Sequence, residues 1–550
     1  MAICTPCSIR LFEFGTLSEK RIPTERLNRR AANLEDPSQE EVRETFGQAK
    51  KAKSDRWDDD IGPKKNVISE PVFLSKMQVK KQRREEKRAV IHSGVKKIIE
   101  CAKPEFNHYE GTIYTRGKED IPLASQYWNK NKYKNDWFVI RPTQQVAPAF
   151  YKRSSQQWEE FFDSLDSKVV ENLIKMGVRK LTILQKNAIS CYSSCDHIFI
   201  ASETGSGKTV AFAAPLISEL NRNQRAKALV TVPTGVLKRQ MFGVLKDIAR
   251  DTDVKVVQDE EFLPQSEWNV LVGTPGKVVK CLKSSTASFI GTIVMDEADM
   301  LMDDSFVEVF TELLSMVQVK YSETNTGNAN EGARMIFVSA TCEDELQELA
   351  EGIVDADKLM FVRSSALHGI LPHITQKFIR VREQDKLEIL KSIVSEDLTK
   401  ESRQILVFCK DSSTVQFVSK SLSQQNLPNT VISGKSNTSG GSIEGARLFI
   451  GTDVASRGID LPKLQHVINY DCPRHMVDLI HRFGRVGRCS SLSNCRVTSF
   501  IRNPWEVELV NAVELAVRLG KPISGIDVNV AGKLHKRKEK ETEKGDVDQE

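Results

Sequence analysis

The stretch HIFIASETGSGKTVAFAAPLISEL (residues 197–220) decides the fold. Its opening HIFIA is an apolar run of strand length. Its closing VAFAAPLISEL has helical character. Between them lies a glycine-rich turn: Ser202, Glu203, Thr204, Gly205, Ser206, Gly207, Lys208 and Thr209. A strand, a glycine loop and then a helix form the arrangement that cradles phosphate groups. Gly205 and Gly207 let the backbone turn tightly, so that its N–H groups face phosphate oxygens. Lys208 brings charge to the β- and γ-phosphates, and Thr209 offers a hydroxyl to Mg2+. The N-terminus of the helix adds the positive end of its dipole. Ser202 stands where the general pattern begins with glycine.

Outward from this loop, short apolar runs alternate with helical patterns. ALVTV (228–232), NVLVG (269–273), TIVMD (292–296) and MIFVS (335–339) read as strands. Their alternation with helices predicts a parallel α/β sheet covered on both faces. SSALHGILPH (364–373) reads as a linker, with Gly369 and Pro372 as breakers. A second alternating series follows: ILVFC (405–409), NTVIS (429–433), RLFIG (447–451), HVINY (466–470) and VTSFI (497–501). The expected organisation is a largely irregular, flexible N-terminal arm (1–154), a first lobe (155–363), the linker and a second lobe (374–528). A charged, disordered tail (529–550) closes the chain.

The composition is that of a soluble globular protein, with 40% hydrophobic and 28% charged residues and a mean hydropathy of -0.36. No apolar run approaches the roughly 20 residues that span a bilayer, so no membrane partner is expected. The net charge of +5, from 79 basic and 74 acidic residues, does not announce nucleic-acid binding. Any such contact must come from local placement of charge. The 11 cysteines include the pairs Cys4/Cys7 and Cys191/Cys195, neither with a second pair at zinc spacing. Reduced thiols are the plain reading. The start MAICTPCSIRLF carries no acid before Glu13 and reads as the opening of a mitochondrial transit peptide, but Glu19 and Glu25 follow soon after. KKQRREEKR (80–88) reads either as a solvated helix or as a basic helix touching RNA. Tyr127, Trp128, Tyr133, Trp137 and Phe138 either stack bases or pack the arm against the first lobe.

The run TIVM leads into Asp296, Glu297, Ala298 and Asp299. Asp296 is placed to hold Mg2+, usually through water. Glu297 is placed to orient and deprotonate a water attacking the γ-phosphate. These residues and their neighbours resemble the DEAD-box RNA helicases, over about residues 161–501. The resemblance implies two tandem RecA-like lobes, ATP and Mg2+ as cofactors, and RNA as partner. Ser339, Ala340 and Thr341 match the Ser-Ala-Thr motif that couples hydrolysis to strand separation. Gln185 matches the glutamine that reads adenine, and Phe161 or Phe162 the aromatic that stacks on it. In TDVASRGID (452–460), Thr452 would touch RNA and Asp460 the ribose. In HRFGRVGR (481–488), Arg485 and Arg488 would act as arginine fingers, with His481 and Arg482 coupling the lobes. Pro233, Thr234, Thr274, Pro275, Gly276 and Lys277 would contact RNA.

The RNA-gripping positions depart from the family pattern. Gly235 and Val236 replace an arginine and a glutamate, with Lys238 and Arg239 close enough to restore charge. Lys277 keeps a charge but loses the planar fork of arginine. The usual double glycine between these two motifs is missing, and segment 435–446 is short and rich in glycine and serine. The flanks LASQYWNKNKYKNDWFVIRP and NPWEVELVNAVELAVR are similar to those of a mitochondrial DEAD-box helicase of animals. That narrower likeness implies a mitochondrial location and a role in assembly of the large ribosomal subunit, with assembly particles as partners; a monomer is expected. A nuclear or nucleolar helicase is the alternative location. Two other functions compete: an ATP-gated RNA clamp with little unwinding, and a DNA helicase.

Overall fold

The computed structural model describes most of residues 97–523. Residues 1–96 and 524–550 lie outside the described residues, as do internal stretches that include 143–163, 433–444, 454–460 and 488–494. The charged stretch 80–88, Cys4 and Cys7, most of 435–446 and the tail 529–550 therefore fall outside it.

Strands β1 (Lys97–Cys101) and β2 (Trp137–Pro142) come first in the chain. The first lobe runs α1 (Ser167–Lys175), α2 (Ile183–Tyr192), β3 (His197–Ala201), α3 (Lys208–Arg222), β4 (Ala228–Thr231), α4 (Gly235–Ile248), β5 (Val256–Gln258) and β6 (Val270–Gly273). It continues with α5 (Pro275–Ser284), β7 (Thr292–Asp296), α6 (Ala298–Leu301), α7 (Val307–Met316), β8 (Arg334–Ser339), α8 (Asp344–Ile353) and β9 (Leu359–Arg363). Its seven strands are all parallel, in the order β5-β6-β4-β7-β8-β3-β9. Strand alternation divides the side chains between two apolar layers. Ile198 and Ile200 join Val230, Val272 and Ile336 on one face. Phe199 and Ala201 join Leu229, Met295 and Phe337 on the other. Both faces are covered, which is why these strands read as continuous apolar runs.

The second lobe runs β10 (Thr375–Arg380), α9 (Lys386–Leu398), β11 (Gln404–Phe408), α10 (Ser412–Ser423), β12 (Thr430–Ile432), β13 (Leu448–Gly451), β14 (Leu464–Asn469), α11 (Met476–Phe483), β15 (Arg496–Ile501) and α12 (Pro504–Leu519). Strands β10 to β15 pair in parallel, and all but the edge strand β12 are mostly buried on both faces.

Two stretches of the arm are not irregular. β1 and β2 extend the second sheet by antiparallel pairing, giving the order β1-β2-β10-β15-β14-β11-β13-β12. Among the described residues, the arm aromatics Trp128, Tyr133 and Phe138 pack on the core of the second lobe and not on that of the first. Trp128 and Phe138 are fully buried, and Phe138 stacks on Phe378 with centroids 4.9 Å apart. The Glu514 carboxylate accepts from the N–H of Ala124 (2.8 Å), the N–H of Ser125 (3.1 Å) and Ser125 Oγ (2.7 Å). Arg380 Nε donates to the carbonyl of Trp128 at 2.7 Å. No helix among the described residues is long and apolar enough to cross a membrane.

Candidate nucleotide and nucleic-acid site

Strand β3 delivers the chain into the loop at Ser202. Gly205 and Gly207 turn it with φ of 78° and 87°, a left-handed region that favours glycine. A Cβ at Gly207 would lie 2.3 Å from Gln185 Nε2. That amide is already engaged: its Oε1 accepts from Thr182 N–H at 2.9 Å, and its Nε2 donates to the Gly207 carbonyl at 3.1 Å. Thr182 and Gln185 form a capping box at the start of α2, which fixes Gln185 against the loop. Lys208 Nζ donates to the carbonyls of Ser202 (2.7 Å) and Glu203 (3.1 Å). Burial holds the Lys208 ammonium below its ordinary pKa, against the acids around it. Ser206 Oγ is buried and has no hydrogen-bond partner among the described residues. Thr209 lies half-buried in the first turn of α3.

Asp296 ends β7. Burial first, and the Glu297 carboxylate second, push it up to about 7. Glu297 adopts φ 55° and ψ 53°. A non-glycine residue held there costs on the order of 1–3 kcal/mol, strain of a kind that gathers at functional sites. Glu297 Oε2 is buried and makes no hydrogen bond among the described residues. Asp299 accepts from Thr341 Oγ1 at 2.9 Å and lies 2.6 Å from His481 Nε2. His481 belongs to α11 of the second lobe, and its Nδ1 lies 4.0 Å from Glu297 Oε2. Asp299 thus joins the Ser-Ala-Thr segment to the other lobe, a role that motif spacing alone does not give. Ser339, Ala340 and Thr341 are all buried, and the Ser339 carbonyl accepts from Ser202 N–H at 3.2 Å. The second lobe also seats directly on the glycine loop: a Cβ added at Gly484 would lie 1.4 Å from Thr204 Oγ1.

Arg482 does not cross the cleft. It is buried inside the second lobe and forks onto Asp453, Nε and Nη2 each at 2.6 Å from a carboxylate oxygen. Its Nη1 donates to the carbonyl of Asp471 at 2.6 Å. This planar clamp fixes α11 to the strand ends. Arg485 is buried in the turn after α11. Asp460, Arg488, Phe161 and Phe162 lie outside the described residues.

Pro233, Thr234, Thr274 and Thr452 follow the carboxyl ends of β4, β6 and β13. Ligands of open α/β sheets gather at these ends. Thr234 caps α4 by accepting from Leu237 N–H at 3.3 Å. Pro275 is buried at the start of α5, while Gly276 and Lys277 are exposed. Lys238 does not restore the missing arginine. It is buried and paired with Asp259 and Glu260, which leaves the exposed Arg239 as the nearby cation. Val236 packs against the apolar cluster of the second lobe, so this departure makes a contact between lobes.

The DEAD/DEAH box helicase family matches residues 182–349, and the helicase conserved C-terminal domain matches 385–490. The chain is 31% identical over 502 residues to the human "Probable ATP-dependent RNA helicase DDX28", covering 84% of this chain and 92% of that relative. It is 32% identical over 473 residues to the mouse protein of the same name, covering 80% and 87%. Among solved structures it is similar to Dbp5 of S. cerevisiae bound to RNA and ADP BeF3, with a TM-score of 0.56 and 21% identity over 66% of this chain and 94% of that one. It is also similar to Mss116p bound to ssRNA and AMP-PNP, with a TM-score of 0.57 and 21% identity over 66% and 78%. These two show the fold, two RecA-like lobes. Identity at this level along nearly the whole of a relative is kinship and not shared architecture alone: the chain belongs to the DEAD/DEAH box helicase family.

Proposed function

We propose that this chain is an ATP-dependent RNA helicase that hydrolyses ATP to separate or remodel RNA. The observation that carries the reading is the contact set at Asp299. One carboxylate touches Thr341 in the first lobe and His481 in the second, two residues from Glu297. Chemistry beside Glu297 is thereby tied to the position of the second lobe.

Lys208 and the loop N–H groups hold the β- and γ-phosphates. Glu297 orients the attacking water and takes its proton. By the family resemblance, Arg485 and Arg488 would act on the γ-phosphate, Asp460 on the ribose and Gln185 on the adenine. Asp296 and Thr209 would supply the hard oxygens that Mg2+ selects, and the buried Oε2 of Glu297, next to Asp296 in the chain and without a hydrogen bond among the described residues, fits a site completed by ligand. Bound there, Mg2+ would offset phosphate charge. ATP favours the closed lobes, RNA laid across both lobes favours the same state, and the linkage is reciprocal. Pro233, Thr234, Thr274 to Lys277 and Thr452 would contact the RNA backbone, with little base readout. The finer reading is a monomer in mitochondria, acting on particles of the assembling large ribosomal subunit. What supports the location and the particles is the resemblance of the two flanks.

An ATP-gated clamp with little unwinding is the second reading. It is favoured by Lys238, whose charge is spent on Asp259 and Glu260 and not on a nucleic acid. ATP turnover measured with RNA and with DNA of the same sequence tests the main reading. Stimulation by RNA well above that by DNA is expected. Equal stimulation would point to a DNA helicase.

A further inference from the structure

The linker between the lobes carries polar contacts to three places. Ser364, its first residue, donates from Oγ to Glu203 Oε1 in the glycine loop at 2.9 Å. Four residues on, the Nε2 of His368 accepts from the N–H of Cys342 at 2.9 Å. Cys342 directly follows the Ser339–Thr341 segment. The carbonyl of His368 accepts from the N–H of Ile523, just past α12, at 3.1 Å. His368 holds φ 60°, a conformation that non-glycine residues rarely adopt. The neighbouring Leu367 packs on an apolar layer of the first lobe. A passive tether needs none of these features.

We propose that His368 is a positioning residue that couples the placement of the second lobe to the Ser-Ala-Thr segment. The backbone of His368 is held by the second lobe, and its side chain is held by the first. A shift of the second lobe is therefore felt at the N–H of Cys342, one residue from the Thr341 hydroxyl that binds Asp299. The acceptor role fixes the imidazole tautomer, with the proton on Nδ1. The proposal rests on the RNA-stimulated ATPase read above.

Two variants separate the side-chain acceptor from the backbone conformation. His368→Gly keeps the left-handed backbone and removes the acceptor. His368→Gln keeps an acceptor at about the position of Nε2. For the full chain, ATP turnover with and without single-stranded RNA and the melting temperature are measured. The expected result for His368→Gly is a loss of RNA stimulation of roughly threefold to tenfold, the worth of one hydrogen bond. Basal turnover and melting temperature stay near wild type, and His368→Gln restores the stimulation. Wild-type stimulation in His368→Gly overturns the proposal, as does equal loss in both variants. A fall in melting temperature together with basal turnover overturns it in favour of a merely structural role. Absence of RNA stimulation in the wild type would instead defeat the functional reading itself, and the proposal with it.

Discussion

A methyl group at Gly484 has no room while Thr204 lies against it. The added carbon would sit 1.4 Å from Thr204 Oγ1 and 2.6 Å from Thr204 Cβ, and the latter cannot swing away. Gly484 has an ordinary φ of -76°, so alanine suits its backbone and the obstacle is only the neighbouring lobe. Gly484→Ala should therefore leave the melting temperature nearly unchanged and lower ATP-dependent RNA binding about tenfold or more, since closed lobes no longer fit together. RNA binding by filter retention with and without ATP checks this, and unchanged binding would count against the closed arrangement. At this scale the sequence was most legible where chemistry dictates residue type. Lys208, Asp296 and Glu297 stand where a phosphate loop and a carboxylate turn require them. Arg482 and Lys238 were misread because a cation in a motif does not say which acid it will meet. Asp453 and Asp259 are close only in the folded chain.

Elements buried on both faces were readable, and those at the rims were not. HIFIA became β3 because Ile198, Phe199, Ile200 and Ala201 each enter an apolar layer and His197 finds hydrogen-bond partners at Lys320 and Met335. VVQ became the edge strand β5 with every residue half-buried, a pattern too short and too weak to mark a strand. β1 and β2 escaped for a different reason: β1 pairs only with β2, and β2 joins the sheet through β10, far along the chain, with Phe138 opposite Phe378. Ala124 and Glu514, which hold the segment in place, are 390 residues apart. Trp128 is the test of this element. It is fully buried between Phe138 and the second-lobe core. Trp128→Ala should cost about 3–5 kcal/mol, seen as a lower melting transition. A variant as stable as wild type would mean that the arm adds nothing to the second lobe.

Across the whole molecule, three buried histidines make the fold acid-sensitive. Burial lowers His108, His197 and His466 from 6.5 to about 4, and in His466 it outweighs the Asp397 carboxylate beside it. Between those values the unfolded chain binds protons that the native chain refuses. Stability is therefore held above the unfolded value and falls as pH drops from 6.5 toward 4, by up to about 1.4 kcal/mol per histidine per pH unit. Asp296, raised to about 7, acts the other way and offsets one histidine between about pH 7 and pH 4, so the melting temperature should fall below about pH 6.5 less steeply than three histidines alone would give. A flat profile into the acid range would show these rings to be protonated in the fold. The two lobes meet through Asp299 with His481 and Thr204 with Gly484, so nucleotide chemistry and lobe position form one linked equilibrium. The most direct test is steady-state ATP turnover and RNA retention in wild type and Glu297→Gln. Wild-type turnover should rise with RNA. Glu297→Gln should lose about a hundredfold or more of that turnover and still retain RNA when ATP is present. Near-normal turnover in the variant, or wild-type turnover indifferent to RNA, would contradict an RNA-driven motor built around Glu297.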